Sequence, residues 1–188
     1  RARRPVSRAS RRIDPWRHAI GRAGRFRGVG AGGGEGLLQR LEPGDQLVDL
    51  VKRGKDDEAT KILAQVMKKL AHHQAPAECP TVADWGRGFD RYLASGDRQL
   101  PLELVHEAHD LYQDLTATQG TTMLLHGDLQ HYNVLFDNER GWVAIDPKGV
   151  VGELEYEVGA LLRNPVELPE VYKNRAIFNR RLEILCDL

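Results

Sequence analysis

His126-Gly127-Asp128-Leu129-Gln130-His131-Tyr132-Asn133 lies between two short apolar runs, Met123-Leu124-Leu125 and Val134-Leu135-Phe136, and a third run, Trp142-Val143-Ala144-Ile145, ends on Asp146-Pro147. Brief apolar runs bounded by polar segments are strand signals, and Asp137-Asn138 to Gly141 supplies a turn between the second and the third. Asp128 and Asn133 therefore stand five apart in a polar loop between strands, and Asp146 stands where a buried strand gives way to a loop. Taken singly, Asp128 caps a turn, Asn133 holds a bend and Asp146 ends a strand. Taken together they are hard oxygen ligands of the kind Mg²⁺ accepts alongside phosphate oxygens, with a further carboxylate left over to orient a hydroxyl. That is the equipment of phosphoryl transfer.

Upstream of this stretch the texture is helical. Leu37-Leu38-Gln39-Arg40-Leu41 reads as a short strand ended by the turn pair Pro43-Gly44. Gln46 to Arg53 puts Leu47, Leu50 and Val51 on one helical face, with Gly54 as the stop. Asp56 is placed to cap a longer helix in which Ala59, Ile62, Leu63, Val66, Met67 and Leu70 recur every three or four residues, Met67 as core filling. Thr81 with Asp84 resembles a capping box for a helix through Trp85, Phe89 and Leu93. Pro101 opens another, with Leu104, Val105, Ala108, Leu111, Tyr112 and Leu115 expected inward. A last amphipathic helix begins at Arg175 and runs through Ile177, Leu182 and Leu185. The expected class is α+β, mostly α, with a small β-hairpin region over 123–145.

The chain has 188 residues with 27 basic and 27 acidic side chains and 41% hydrophobic residues, a composition suited to one domain with a real core. No apolar run reaches the length of a membrane span and no secretory signal pattern opens the chain, so the expected location is the cytoplasm. Cys79 and Cys186 are too few and too far apart for a disulfide framework or a metal knuckle. The neutral total hides an asymmetry: residues 1–36 hold ten arginines, no lysine, and only Asp14 and Glu35 as acids. This leader runs into a glycine stretch, and Gly28, Gly30 and Gly33 match GxGxxG. No strand pattern precedes them, so they are read as a flexible linker rather than a phosphate loop. With almost nothing to bury, residues 1–36 are expected to be disordered and residues 37–188 to fold.

H-G-D-L-x-x-x-N at His126 to Asn133, followed 13 residues later by I-D-P at Ile145 to Pro147, resembles the catalytic and metal-binding segments of the aminoglycoside phosphotransferases, relatives of the protein kinases. Leu125 to Leu129 with Ile145-Asp146-Pro147-Lys148-Gly149-Val150-Val151-Gly152-Glu153 is similar more narrowly to the streptomycin 6-phosphotransferase and hydroxyurea phosphotransferase group. The resemblance implies that Asp128 is the catalytic base, that Asn133 and Asp146 are Mg²⁺ ligands, and that the nucleotide is ATP. It implies loop-supporting roles for His126 and for Glu157, an acid that in such kinases braces the catalytic loop, although an exposed helix-face glutamate reads nearly as well. It also implies that Leu38 to Leu41 is a hinge strand, with Gln39 and Leu41 meeting adenine. Gln130 stands where protein kinases usually have a lysine. His131 is read as a loop-packing or solvent-facing residue.

The same resemblance implies a protein-kinase-like C-terminal lobe without an intact N-terminal lobe, since only 36 residues, none a lysine, precede the hinge. A truncated kinase with little activity of its own is therefore expected, its leader being what out-of-frame translation of a GC-rich gene would give. The expected acceptor is an alcohol group of a small antibiotic of the aminoglycoside or hydroxyurea type, with no nucleic-acid partner and no membrane association. A catalytically dead remnant, or a basic-armed binding module, is the alternative.

Overall fold

The computed structural model describes residues 41–71 and 75–187, and within them the chain is α+β. The element order is β1 (Pro43–Gln46), α1 (Val48–Lys52), α2 (Asp56–Leu70), α3 (Val82–Ser95), α4 (Leu102–Ala117), β2 (Met123–Leu125), β3 (Val134–Asp137), β4 (Gly141–Ala144), β5 (Val150–Gly152), a 3₁₀ turn (Leu154–Glu157), α5 (Val158–Leu162), α6 (Pro169–Tyr172) and α7 (Arg175–Cys186).

The strands form two small antiparallel sheets. One has the order β1-β3-β4, and the other pairs β2 with β5. β3 and β4 make the hairpin expected from the Asp137–Gly141 turn, with Leu135 opposite Val143 and Phe136 opposite Trp142. The Asp137 carboxylate accepts from the amides of Glu139 and Arg140 inside that turn and from the amide of Glu42 across it. β2 does not belong to the hairpin region in which the sequence placed it: Leu124 pairs with Val151 on β5, 27 residues on, so the polar loop after β2 is held against the segment after Asp146.

Pro43-Gly44, read from sequence as a turn, begins a strand instead. Pro43 is opposite Asp137 and Gln46 opposite Leu135, with an irregular register between them. A proline is tolerated at the first residue of an edge strand, and Gly44, at φ 78°, takes up the irregularity. Of the predicted strand 37–41, all but Leu41 lies outside the described residues, as do the leader and its glycine motif.

The helical periods place the core. Ala59, Leu63, Val66 and Met67 of α2 pack with Leu47, Val51, Leu129, Val134 and Leu161, and a second cluster joins Val82, Leu125 and Val150 beside Trp85 and Tyr156. α3 is capped as read, with Thr81 Oγ1 accepting from the Asp84 amide and Asp84 Oδ2 accepting from the Thr81 amide. α4 departs from its expected orientation. Of its inward-reading residues only Val105 is buried, Ala108 and Tyr112 are half-buried, and Leu104, Leu111 and Leu115 are more than half exposed among the described residues. The residues at the α3–α4 contact, Val105, His109 and Tyr112, lie to one side of the leucine stripe, so the stripe faces outward. His109 stacks on Phe89, and Tyr112 packs against the same ring at a tilt.

Asp56 does not cap α2. It is the first helical residue, and its buried carboxylate receives Arg181 of α7, Nε to Oδ2 at 3.0 Å and Nη2 to Oδ1 at 2.5 Å. Arg181, 1% exposed, spends its remaining nitrogen on the carbonyls of Leu161 (3.1 Å) and Asn164 (2.7 Å) at the end of α5. One guanidinium thus joins α2, α5 and α7, with its donors matched to four oxygens, the condition under which a buried ion pair is tolerated. Its neighbour Arg180 pairs with Asp57 at the surface. Removing Asp56 leaves a buried charge unpaired, so Asp56→Ala is expected to lower the unfolding free energy by about 3–5 kcal/mol. Asp57→Ala, which breaks an exposed pair, is expected to cost less than about 1 kcal/mol. Urea unfolding of the two variants measures the contrast, and equal losses would contradict it.

Candidate active site

The site is assembled around His126, the residue at which β2 ends. Its ring is 2% exposed. Nε2 lies 2.9 Å from the Ile145 carbonyl and must donate to it, which leaves Nδ1 to accept from the Asp128 amide at 3.3 Å. The His126 carbonyl accepts from the amides of Lys148 and Gly149. A single residue therefore contacts the segment carrying Asp128 and both flanks of Asp146. Burial pushes the ring pKa down to about 4, against the opposing pull of the Ile145 carbonyl and the Asp128 and Asp146 charges, so it is neutral and keeps this tautomer.

Gly127 follows at φ 81°. A Cβ here would meet the Trp85 ring at 2.8 Å and Val150 at 3.1 Å, so glycine is required both by the left-handed backbone and by the aromatic packed on it. The Gly127 amide donates to Glu157 Oε1 at 2.9 Å. Glu157 is buried, on the 3₁₀ turn ahead of α5, and is not an exposed helix-face glutamate. Burial raises its pKa, and the amides of Gly127, Leu129 and His126 oppose that shift. Leu129 is fully buried in the main core and anchors the middle of the loop.

Asp128 and Asn133 are brought together. The Asn133 amide nitrogen donates to the Asp128 carbonyl (2.8 Å) and carboxylate Oδ2 (3.2 Å), which turns the amide oxygen of Asn133 away and makes it the end available to a cation. The Asn133 carbonyl accepts from Ile145 N at 2.9 Å, so Asn133 and the residue before Asp146 are direct backbone partners. Asp146 itself sits at φ 56°, a conformation aspartate tolerates better than most residues, with its carboxylate two-thirds exposed and 2.6 Å from Lys148 Nζ. The charges of Asp128 and Asp146 both act on the His126 ring, each favouring its protonated form against the effect of burial.

Among the described residues no three His, Cys, Asp or Glu side chains form a metal cage. Asn133 and Asp146 offer one amide oxygen and one carboxylate. That donor set fits an ion which keeps water and phosphate oxygens in its shell, the habit of Mg²⁺. Of the residues expected at adenine, Gln39 is outside the described residues, and Leu41 is half-buried ahead of β1.

Three side chains at the site were not singled out by sequence. Arg163, just past α5, has Nη2 3.6 Å from Asp128 Oδ1. Tyr132 hydrogen-bonds to Glu167. Trp85 covers Gly127. Trp85 and Arg163 arrive from separate elements outside the motif, and Tyr132, although inside it, occupies one of its variable positions. His131 is fully buried, and neither ring nitrogen has a hydrogen-bond partner; its carbonyl accepts from Val48 N. It packs the loop onto α1 and does not face solvent.

A polar loop of this build, bridged to a second carboxylate-bearing turn, defines a candidate phosphotransferase centre. Residues 8–187 match the family model described as aminoglycoside/hydroxyurea antibiotic resistance kinase, and the chain belongs to that family. The match takes in most of the arginine-rich leader as well as the described residues. Among curated relatives, the chain is 30% identical over 184 residues to a streptomycin 3''-kinase of Klebsiella pneumoniae, covering 97% of this chain and 65% of that protein. It is 29% identical over 143 residues to a hydroxyurea phosphotransferase of Kitasatospora aureofaciens, covering 72% of this chain and 40% of the relative. It is 28% identical over 169 residues to a streptomycin 6-kinase of Streptomyces griseus, covering 80% and 50%. The chain thus spans between two fifths and two thirds of the length of these relatives.

The buried histidines make the loop sensitive to acid. Burial first, then the nearby Arg181 charge, pushes His131 down to about 3. An unfolded chain protonates it near 6.5. Between those values the unfolded state binds a proton that the native state refuses, so stability falls as pH falls, by up to about 1.4 kcal/mol per pH unit for each such histidine. His131→Leu keeps an apolar filling and removes the titration. Between pH 7 and pH 5 the variant is expected to lose about 2 kcal/mol less unfolding free energy than the parent, as measured by chemical denaturation at both values. Parallel losses would show that His131 is protonated in the folded state.

Proposed function

We propose that this chain carries the catalytic loop and metal-binding turn of a kinase-like C-terminal lobe, and that it serves phosphoryl transfer from ATP to an alcohol group of a small antibiotic. The observation that carries the reading is the Asn133 side chain bound to Asp128 while the Asn133 backbone is bound to Ile145, next to Asp146. This arrangement supports a division of labour. Asp128 orients the acceptor hydroxyl and takes its proton, and Asn133 with Asp146 holds Mg²⁺ against the nucleotide phosphates. His126 and Glu157 do not touch the reactants. They fix the loop, His126 through Ile145 and Glu157 through the Gly127 amide.

The acceptor class follows from the relatives, two named for streptomycin and one for hydroxyurea. Outside residues 1–36 acids outnumber bases, and an acidic field draws a polycationic acceptor such as an aminoglycoside. No described helix is long and apolar enough to cross a membrane. The alternative of a basic-armed binding module rests on residues outside the described part.

The test separates metal binding from proton transfer. Mg²⁺-dependent ATP binding is expected for the parent and for Asp128→Ala, within a few-fold of each other, and is expected to be lost in Asp146→Ala. Phosphotransfer to streptomycin or hydroxyurea is expected to fall by about 10²–10⁴ in Asp128→Ala. Calorimetric titration of Mg·ATP, together with transfer of labelled γ-phosphate, measures both. Unchanged nucleotide binding in Asp146→Ala would overturn the assignment.

A further inference from the structure

We propose that Arg163 is the residue that meets the γ-phosphoryl group of the nucleotide. This inference rests on the phosphotransferase reading above and adds to it a phosphate contact that none of the motif residues supplies.

Arg163 stands on a fixed stem. Its base is rigid: the carbonyls of Leu161 and Asn164, on either side of it, are both gripped by the buried Arg181 guanidinium, and the buried Asn164 side chain donates to Ala160 O at 2.8 Å. Its tip is two-thirds exposed. A long side chain on a fixed stem has a defined reach and is free to change partner at its end.

The tip lies beside Asp128. Arg163 Nη2 approaches Oδ1 of Asp128, the oxygen opposite the one that Asn133 holds. At 3.6 Å, and so exposed, the pair adds little to stability, so folding alone does not account for its placement. The same point in space is where an acceptor hydroxyl must sit to give its proton to Asp128, and the phosphorus it attacks lies next to that hydroxyl.

Positive charge is scarce around the loop. The loop from His126 to Asn133 contains no lysine or arginine, and its two histidines are buried and neutral. Gln130 is held within the loop, with Oε1 accepting from the Tyr132 amide. Lys148 is occupied by Asp146, the carboxylate on the metal side. Arg163 is the cation placed on the acceptor side. In the transfer, the acceptor oxygen bonds to the γ-phosphorus while the bond from phosphorus to the β,γ-bridging oxygen breaks. The bonding pair leaves on ADP, and the hydroxyl proton passes to Asp128. Arg163 neither gains nor loses a proton. Its planar fork of donors matches the equatorial oxygens of the phosphoryl group. As hydroxyl and nucleotide enter, it exchanges the Asp128 carboxylate for the phosphoryl oxygens.

The experiment compares two nucleotides that differ only in the γ-phosphate. Mg·ATP and Mg·ADP are titrated against the parent chain, Arg163→Gln and Arg163→Lys, with thermal unfolding as a check that the exposed substitutions leave the fold intact. Arg163→Gln is expected to weaken Mg·ATP by tenfold or more while changing Mg·ADP by less than twofold. Arg163→Lys, which keeps the charge without the fork, is expected to fall between. Equal losses for the two nucleotides, or no loss for either, would overturn the role of Arg163 and leave the phosphotransferase reading standing. A parent chain that binds neither nucleotide would overturn that reading and this inference together.

Discussion

The site depends on the neutral imidazole of His126. It is a buried polar ring with one donor and one acceptor, and both are used, toward Ile145 O and the Asp128 amide. A buried ring left half-satisfied would bear the desolvation cost of the unused nitrogen, so the two segments it bridges are held in one arrangement. Nineteen residues of sequence separate His126 from Ile145. The carbonyl of the same residue binds the chain again beyond Asp146, and β2 and β5 continue the pairing on either side of it. The backbone on which Asp128 and Asp146 ride is fastened on both sides to this one position.

A second constraint works from behind. Arg181 draws α2, α5 and α7 into contact through four oxygens, and this fixes where α5 ends. The same short stretch of chain carries Glu157 at its start, against Gly127, and Arg163 at its close, against Asp128. The loop is therefore gripped at its first glycine by a buried acid and approached at its catalytic candidate by an exposed base, both from one element whose far end is set by a buried ion pair. Leu129, between them, adds an apolar anchor in the main core. Polar bonds fix the orientation of the loop, and apolar burial fixes its depth.

The helices were legible where their period was long and their signals local. α2, α3 and α7 lie close to where spacing and capping residues put them, because a capping box or an apolar stripe acts over a few residues. The errors fall where a local signal met a distant partner. Pro43-Gly44 carries turn chemistry, yet β3 takes it as an edge strand. Asp56 has the side chain of a cap, and Arg181, 125 residues away, claims it. The leucines of α4 keep a helical period, but the face that packs on α3 is the adjoining one, and periodicity alone does not say which face finds a partner.

The sequence by itself determined the identity of the chemical groups. Asp128, Asn133 and Asp146 stand at a spacing that points to phosphoryl transfer, and the family to which the chain belongs carries that motif. That Gly127 needs to be glycine was not legible there: the reasons are its left-handed backbone and Trp85, from α3. What only the tertiary structure decided is the company these groups keep. Arg163 beside Asp128, Glu157 beneath Gly127 and the dry packing of His131 all arise from contacts between residues tens of positions apart. Sequence separation carries no information about such contacts. They are set by which buried surfaces and unsatisfied polar groups could be matched once the chain had collapsed around a shared core.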